Sequence, residues 1–330
     1  MAATQALAVT MGEPAGIGGE ITLAAWKRLA GRGPAFLAID DPERLRRLAG
    51  ATPVREIAQP DEAASVFAHA LPVLPLGQRV AAEPGRADPA NGAAVIASIE
   101  RAVALTRAGA TAAVVTNPIH KATLYQAGFG FPGHTEFLAR LAGGARPVMM
   151  LAGPSVRVVP LTVHIPLAEV PRRLDQAMIV AQARIVAEAL RRDFGIGRPR
   201  LAVAGLNPHA GEGGAMGDEE ARLIAPAVAR LRADGLDVTG PLPADTMFHA
   251  RARQGYDAAL CMYHDQALVP VKTLDFDTAV NVTLGLPFVR ASPDHGTALD
   301  IAGRGSARPD SLIAAIELAA AMAARRREHP

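Results

Sequence analysis

A single cysteine, Cys261, stands among the 330 residues. No disulfide can close within the chain, and the fold must rest on apolar packing. The ALCMY setting of that cysteine reads as a buried thiol rather than a nucleophile. Charge of one sign is also lacking: 34 Lys and Arg stand against 32 Asp and Glu, a formal net charge of +2. The electrostatic case for a nucleic-acid partner is therefore absent. Aromatic residues make up 4% of the chain, too few for a base-stacking surface. The one basic cluster, Arg325, Arg326 and Arg327, reads as the solvated end of a helix. No run reaches the roughly 18 consecutive apolar residues of a membrane span. The N-terminal MAATQALAVTMGEPAG puts no basic region ahead of an apolar stretch. A cytoplasmic enzyme without membrane or nucleic-acid partners is the expectation.

What is present is apolar surface in a helix-and-strand rhythm. At 50% hydrophobic content the chain can bury a large core, and its length exceeds the size at which one core keeps growing, so two lobes are expected. Short apolar runs predict strands over 6–11, 34–39, 71–75, 112–116, 147–151, 156–163, 200–205, 258–263 and 279–284. Longer Ala/Leu/Arg-rich stretches predict helices over 17–30, 91–108, 173–193, 218–233 and 309–326. The alternation is that of parallel strands joined by helices, an α/β fold.

Three histidines sit where such strands run out: His164 in LTVHIPL, His209 in LNPHAGEGG and His264 in CMYHDQAL. Ligands of open α/β sheets bind at the carboxyl ends of strands, and three neutral imidazoles leave coordination positions open for a substrate on a divalent cation. The bland reading of any one of them is a hydrogen-bonding loop residue. Asp245 in PADTMF and Asp265 in MYHDQ could orient ligands or take a proton. Lys272 is either a snorkelling surface lysine or a cation facing an anionic substrate. Asn281 and Arg290 frame VNVTLGLPFVR, where arginine suits bidentate recognition of phosphate or carboxylate.

Glycine-rich strings mark the remaining loops. GEPAGIG (12–18) joins a strand to a helix, as an anion-facing turn or simply as a steric necessity. GFGFPG (128–133) matches GxGxxG literally, yet the preceding HKATLYQA looks helical and no Asp or Glu occurs between Glu136 and Glu169. It is not a Rossmann fingerprint. His134 and Thr135 follow Gly133 at the start of a helix, where free N–H groups can hold an anion or Thr can simply cap. DHGTALDIAGRG (294–305) carries too many glycines and polar groups for a helix and reads as a ligand loop.

Taken together, GEPAGIG, TNPIHK, GHTEF, HIPL, GLNPHAGEGG, GPLPADT, MYHDQ, VNVTLGLPFVR and DHGTALDIAGRG resemble the 4-hydroxythreonine-4-phosphate dehydrogenase family of vitamin B6 biosynthesis, over nearly the whole chain. The last string also looks like the adenine-side loop of isocitrate and isopropylmalate dehydrogenases. The resemblance implies a two-lobed, mixed or parallel-sheet α/β fold like that of those dehydrogenases, not a Rossmann fold. One lobe would combine 1–125 with 285–330 on the cofactor side, and the other would span 126–284 with metal ligands and dimer contacts. It implies a divalent metal (Zn, Mg or Co) on His164, His209 and His264, shared between the subunits of a homodimer. Substrate would contact His134, Thr135, Lys272, Asn281 and Arg290. NAD, or NADP, would contact His295, Gly296 and Asp300, while Lys272, Asp245 and a metal-bound water are the candidates for the base. The implied activity is oxidation of 4-phosphooxy-L-threonine with decarboxylation to 3-amino-2-oxopropyl phosphate. The alternatives are a relative acting on another phosphorylated hydroxy acid such as 4-phosphothreonate, or a non-redox metal-dependent hydrolase or lyase.

Overall fold

The computed structural model describes residues 5–328 and divides into two compact units. The first runs to Pro147 and resumes over Leu286–Ala324; the second holds Val148–Gly285 and the residues from Arg325 onward. The sequence reading placed the first crossing at 125/126, some 20 residues early. Phe129, Phe137 and Leu138 explain the shift, because they pack in the same apolar cluster as Ile99, Val103 and Val114 and so keep this segment in the first unit.

In the first unit six strands lie in the order β3-β4-β2-β1-β5-β12. They are β1 (Leu7–Thr10), β2 (Phe36–Asp40), β3 (Val54–Glu56), β4 (Leu71–Pro75), β5 (Val114–Val115) and β12 (Arg290–Pro293). Every pairing among them is parallel. The central strands are buried on both faces, which explains their continuous apolar runs. Helices α1 (Gly18–Leu29), α2 (Pro42–Ala49), α3 (Ala63–Phe67), α4 (Gly92–Arg107), α5 (Lys121–Gln126) and α6 (His134–Leu141) follow them.

In the second unit the order is β11-β6-β7-β10-β8-β9, built from β6 (Val148–Ala152), β7 (Arg157–Thr162), β8 (Arg200–Ala204), β9 (Asp237–Leu242), β10 (Ala258–Tyr263) and β11 (Val280–Leu284). β7, β10, β8 and β9 are parallel, whereas β6 runs antiparallel to both β7 and β11. The helices are α7 (Val170–Arg173), α8 (Gln176–Arg192), α9 (Ala225–Ala233), α10 (Ala250–Arg253) and α11 (His264–Asp275); α12 (Asp310–Glu328) closes the chain and belongs to the first unit as far as Ala324. Cys261 is fully buried in β10, and burial raises its thiol pKa, as expected for an inert core residue.

All nine expected strands form, 71–75 and 258–263 with the expected ends and the others with ends shifted by at most two residues. Three were missed: β3 (VRE) and β12 (RASP) lack an apolar run, and β9 carries Gly240 and Pro241. The helix expected over 218–233 divides into a π-helical turn, Glu220–Ile224, and α9. Pro226 supplies no N–H to the ladder, which accounts for the widened turn before it. Among the described residues no helix is long and apolar enough to cross a membrane.

The turn after β1 is anchored from inside. Ser98 on α4, wholly buried, accepts from Met11 N at 2.9 Å and donates to Ile39 O at 2.8 Å. Replacing Ser98 with Ala leaves a buried N–H and a buried carbonyl without this partner, so it should lower unfolding free energy by about 1–3 kcal/mol. Denaturant unfolding checks this; unchanged stability would show that the hydroxyl is not needed.

Candidate active site

The second unit positions the three histidines differently. β7 and β10 are parallel neighbours, with Thr162 opposite Tyr263, so the residues leaving their carboxyl ends emerge together. His164 and His264 consequently have ring centroids 5.6 Å apart. Both line a cavity of about 230 Å³ with Thr162, Tyr263 and Asp265. His264 does not enter a loop, as the sequence suggested, but opens helix α11. Its Nδ1 lies 2.7 Å from Asp265 Oδ1, a contact that orients the ring and leaves Nε2 as the nitrogen to bind elsewhere. Gln266 locks the corner, accepting from Met262 N at 2.6 Å and donating to Gly205 O at 2.8 Å.

His209 stands on a turn in which six consecutive residues, His209 to Gly214, have positive φ. Three of them are not glycine, and left-handed backbone costs an L-residue roughly 1–2 kcal/mol. Glu220, 6% exposed, holds the approach to this turn. Its Oε1 accepts from Leu206 N at 2.7 Å and Asn207 N at 2.8 Å, and its Oε2 accepts from Asn207 Nδ2 at 3.0 Å. A Cβ at Gly211 would stand 2.6 Å from Glu220 Oε2 and push the bracing carboxylate aside, so space as well as φ favours glycine there. The His209 side chain is 64% exposed. Among the described residues no three His, Cys, Asp or Glu side chains of one chain group to hold a metal. The structure thus pairs His164 with His264 and presents His209 separately on a braced turn. Imidazole donors of this kind suit zinc-like divalent cations.

Lys272 on α11 is half-buried, its Nζ 5.2 Å from the Phe276 ring centre. Asn281 is half-buried on β11 opposite Leu151, and Asp245 is exposed on a single 3-10 turn, Ala244–Thr246.

In the first unit, Arg290 opens β12 beside Val114 of β5. It is 3% exposed, and its Nη2 donates to Thr116 Oγ1 at 2.6 Å. Burial lowers its pKa to about 10, which still leaves the guanidinium charged at neutral pH. His134 and Thr135 open α6 after Gly133, with no side-chain cap on the exposed N–H groups. Burial, then Arg290 and Lys121, hold the His134 pKa well below the ordinary 6.5. Its Nε2 is buried without a hydrogen-bond partner among the described residues. A charged guanidinium, a neutral imidazole and a helix N-terminus form a setting for an anion.

Loop 294–305 packs on the GEPAGIG turn, with Ile17 N donating to Thr297 O at 3.1 Å. A Cβ at Gly16 would come within 2.7 Å of that same oxygen. Arg44 braces the turn, pairing with Asp40 at 2.7 Å and donating to Pro14 O at 2.9 Å. His295 Nδ1 contacts Gly296 O at 2.9 Å, while its buried Nε2 has no partner among the described residues. That orphaned nitrogen and the open space beside Gly296 fit a polar ligand such as a dinucleotide; Asp300 is exposed on the same loop. Sequence reasoning missed Glu220, Gln266 and Lys121 as parts of these arrangements. Lys121 and Gln266 carried a signal, their places in TNPIHK and MYHDQ, and Glu220 carried none.

Mostly parallel α/β units that bring imidazoles to strand ends and a buried arginine to a helix N-terminus define an enzyme of the α/β dehydrogenase type. The family model described as "Pyridoxal phosphate biosynthetic protein PdxA" matches residues 34–319, and the chain belongs to that family. A 4-hydroxythreonine-4-phosphate dehydrogenase of Methylorubrum populi is 57% identical, covering 97% of this chain and 95% of its own. The crystal structure of a 4-hydroxythreonine-4-phosphate dehydrogenase from Klebsiella pneumoniae is 41% identical over 98% of this chain and 99% of its own, with a TM-score of 0.87. A terephthalate 1,2-cis-dihydrodiol dehydrogenase from Burkholderia xenovorans is more distant, 30% identical over 96% of this chain and 98% of its own, with a TM-score of 0.67.

Two outcomes follow from this geometry. Glu220→Ala strips the acceptors from two backbone N–H groups and should cost about 1–3 kcal/mol in denaturant unfolding, with Glu220→Gln recovering part of it; wild-type stability in the alanine variant would remove the bracing role. For His134 the folded-state pKa lies below the unfolded value, so the unfolded chain binds the extra proton first as pH falls. Stability attributable to this group is present above about 6.5 and lost below it. His134→Asn should therefore lose less stability than wild type between pH 6.5 and the depressed pKa; parallel pH–stability curves would contradict the depressed value.

Proposed function

We propose that the chain oxidises 4-phosphooxy-L-threonine with NAD, or NADP, in a divalent-metal-dependent reaction. The product decarboxylates to 3-amino-2-oxopropyl phosphate, a step toward pyridoxal phosphate. The observation that carries the reading is the His164–His264 pair at the ends of adjacent parallel strands, in a chain 57% identical over nearly its full length to a protein of that name.

The residues divide the work by charge. His134, Thr135 and the α6 N-terminus hold the phosphate, with Arg290 adding fixed positive charge. Asn281 and Lys272 orient the amino-acid end. His164, His264 and His209 hold the cation, and Asp265 fixes the His264 ring. When bound, a divalent cation supplies Lewis-acid polarisation of the alcohol and later of the ketone, and the nicotinamide supplies a hydride acceptor. Lys272 or Asp245 takes the hydroxyl proton as the secondary alcohol becomes a ketone. The resulting β-keto acid then loses carbon dioxide, the electrons of the broken C–C bond pass to an enolate, and a proton returns to that carbon. His295, Gly296 and Asp300 face the dinucleotide.

We infer further that the working unit is a homodimer in which a second copy completes the metal site. The protruding His209 turn supports this, as do Leu167, Val269 and Phe276, which are 66%, 63% and 69% exposed in the unit that carries the histidines.

Purified protein supplied with a divalent metal, NAD and 4-phosphooxy-L-threonine should form NADH, with 4-phosphothreonate as a competitor. His264→Ala should retain the fold but lower kcat/KM by at least about a hundredfold and reduce metal retained after dialysis. Undiminished turnover and metal content in that variant would overturn the metal assignment. Faster NADH formation with 4-phosphothreonate would redirect the substrate to that acid.

A further inference from the structure

We propose that Lys121 is a further phosphate-binding residue, completing with His134 and Arg290 the cationic cradle at the start of α6. The inference rests on the phosphorylated-substrate reading above and adds a group that reading does not use.

Lys121 is the first residue of α5, after His120, whose Nδ1 bonds Thr123 Oγ1 and fixes the opening turn. The chain then doubles back. Tyr125 donates from its hydroxyl to Pro132 O at 3.1 Å, and Phe129, Phe131 and Phe137 pack with ring centres 5.1 to 5.4 Å apart. This returns Gly133 beside Lys121. A Cβ built on Gly133 would lie 3.5 Å from both Cε and Nζ of Lys121. The ammonium therefore stands over the first turn of α6, where no side chain caps the N–H groups.

Three further observations point the same way. His134 feels Lys121 as well as Arg290, and both oppose its protonation, so the field at the imidazole is already positive. His134 Nε2 is buried and finds no hydrogen-bond partner among the described residues. Lys121 also sits at the positive end of its own helix, where a cation is unfavourable; local helix stability does not explain a lysine there. A carboxylate also reaches this point: Glu136 Oε2 lies 3.5 Å from the same Gly133 position. A phosphate dianion would relieve the convergence of positive groups with charge-assisted hydrogen bonds.

Lys121 is exposed, so Lys121→Met should fold normally. Binding of inorganic phosphate and of 4-phosphooxy-L-threonine is measured by calorimetry for wild type, Lys121→Met, Lys121→Arg and His134→Asn, and kcat and KM are measured separately. Lys121→Met should raise the phosphate Kd and the substrate KM by roughly ten- to a hundredfold, with kcat changed much less and Lys121→Arg restoring most of the binding. Unchanged phosphate binding in Lys121→Met, alongside weakened binding in His134→Asn, would overturn the inference and leave the phosphate site standing. Unchanged binding in both variants would overturn the inference and the phosphate-site reading together.

Discussion

The parallel pairing of β7 with β10 is the contact from which the histidine site is built. Thr162 and Tyr263 stand opposite each other, so the next turns of chain leave the sheet at one edge and His164 and His264 arrive side by side. Side-chain direction alternates along a strand, and a slip of one residue would send these segments to opposite faces. The buried residues of both strands oppose such a slip, because Val158, Ala259 and Cys261 share one apolar cluster. Core packing thereby becomes site geometry.

Backbone strain concentrates where the imidazoles are presented. His164 and His209 both adopt positive φ, a conformation that few non-glycine residues hold without support from their surroundings. At His209 the support is identifiable. A buried glutamate accepts backbone N–H groups ahead of the turn, and Gly211 fits against that carboxylate where a side chain would displace it. The π-helical turn that carries Glu220 is therefore a structural counterpart of the histidine it braces. The first unit solves a different problem, holding positive charge in a sheltered place. Arg290 is buried on a strand, His134 stays neutral beside it, and the α6 N–H groups add partial positive charge without a titratable proton.

Much of this was legible in the residues. Short apolar runs located nine strands and the Ala/Leu/Arg-rich stretches five principal helices, and the helical reading of HKATLYQA correctly removed GFGFPG from consideration as a nucleotide fingerprint. The resemblance carried by the ordered strings agrees with the family match. Short polar strands such as β3 and β12 escaped because pairing, not composition, makes them strands. Helix α11 escaped because Pro270 interrupts its pattern while burial of Ala267 and Val271 holds it in place.

The sequence by itself determined most of the strands and the longer helices, that the strands would pair mostly in parallel, and which imidazoles would stand near strand ends. Those properties follow from local periodicity and residue chemistry. Only the tertiary structure decided that His164 and His264 pair while His209 stands apart, that Glu220 braces the latter's turn, and that Lys121 returns to Gly133. Each of these joins residues brought together by strand order, register or a reversing loop, and a local pattern carries no record of which distant backbone will accept its hydrogen bonds.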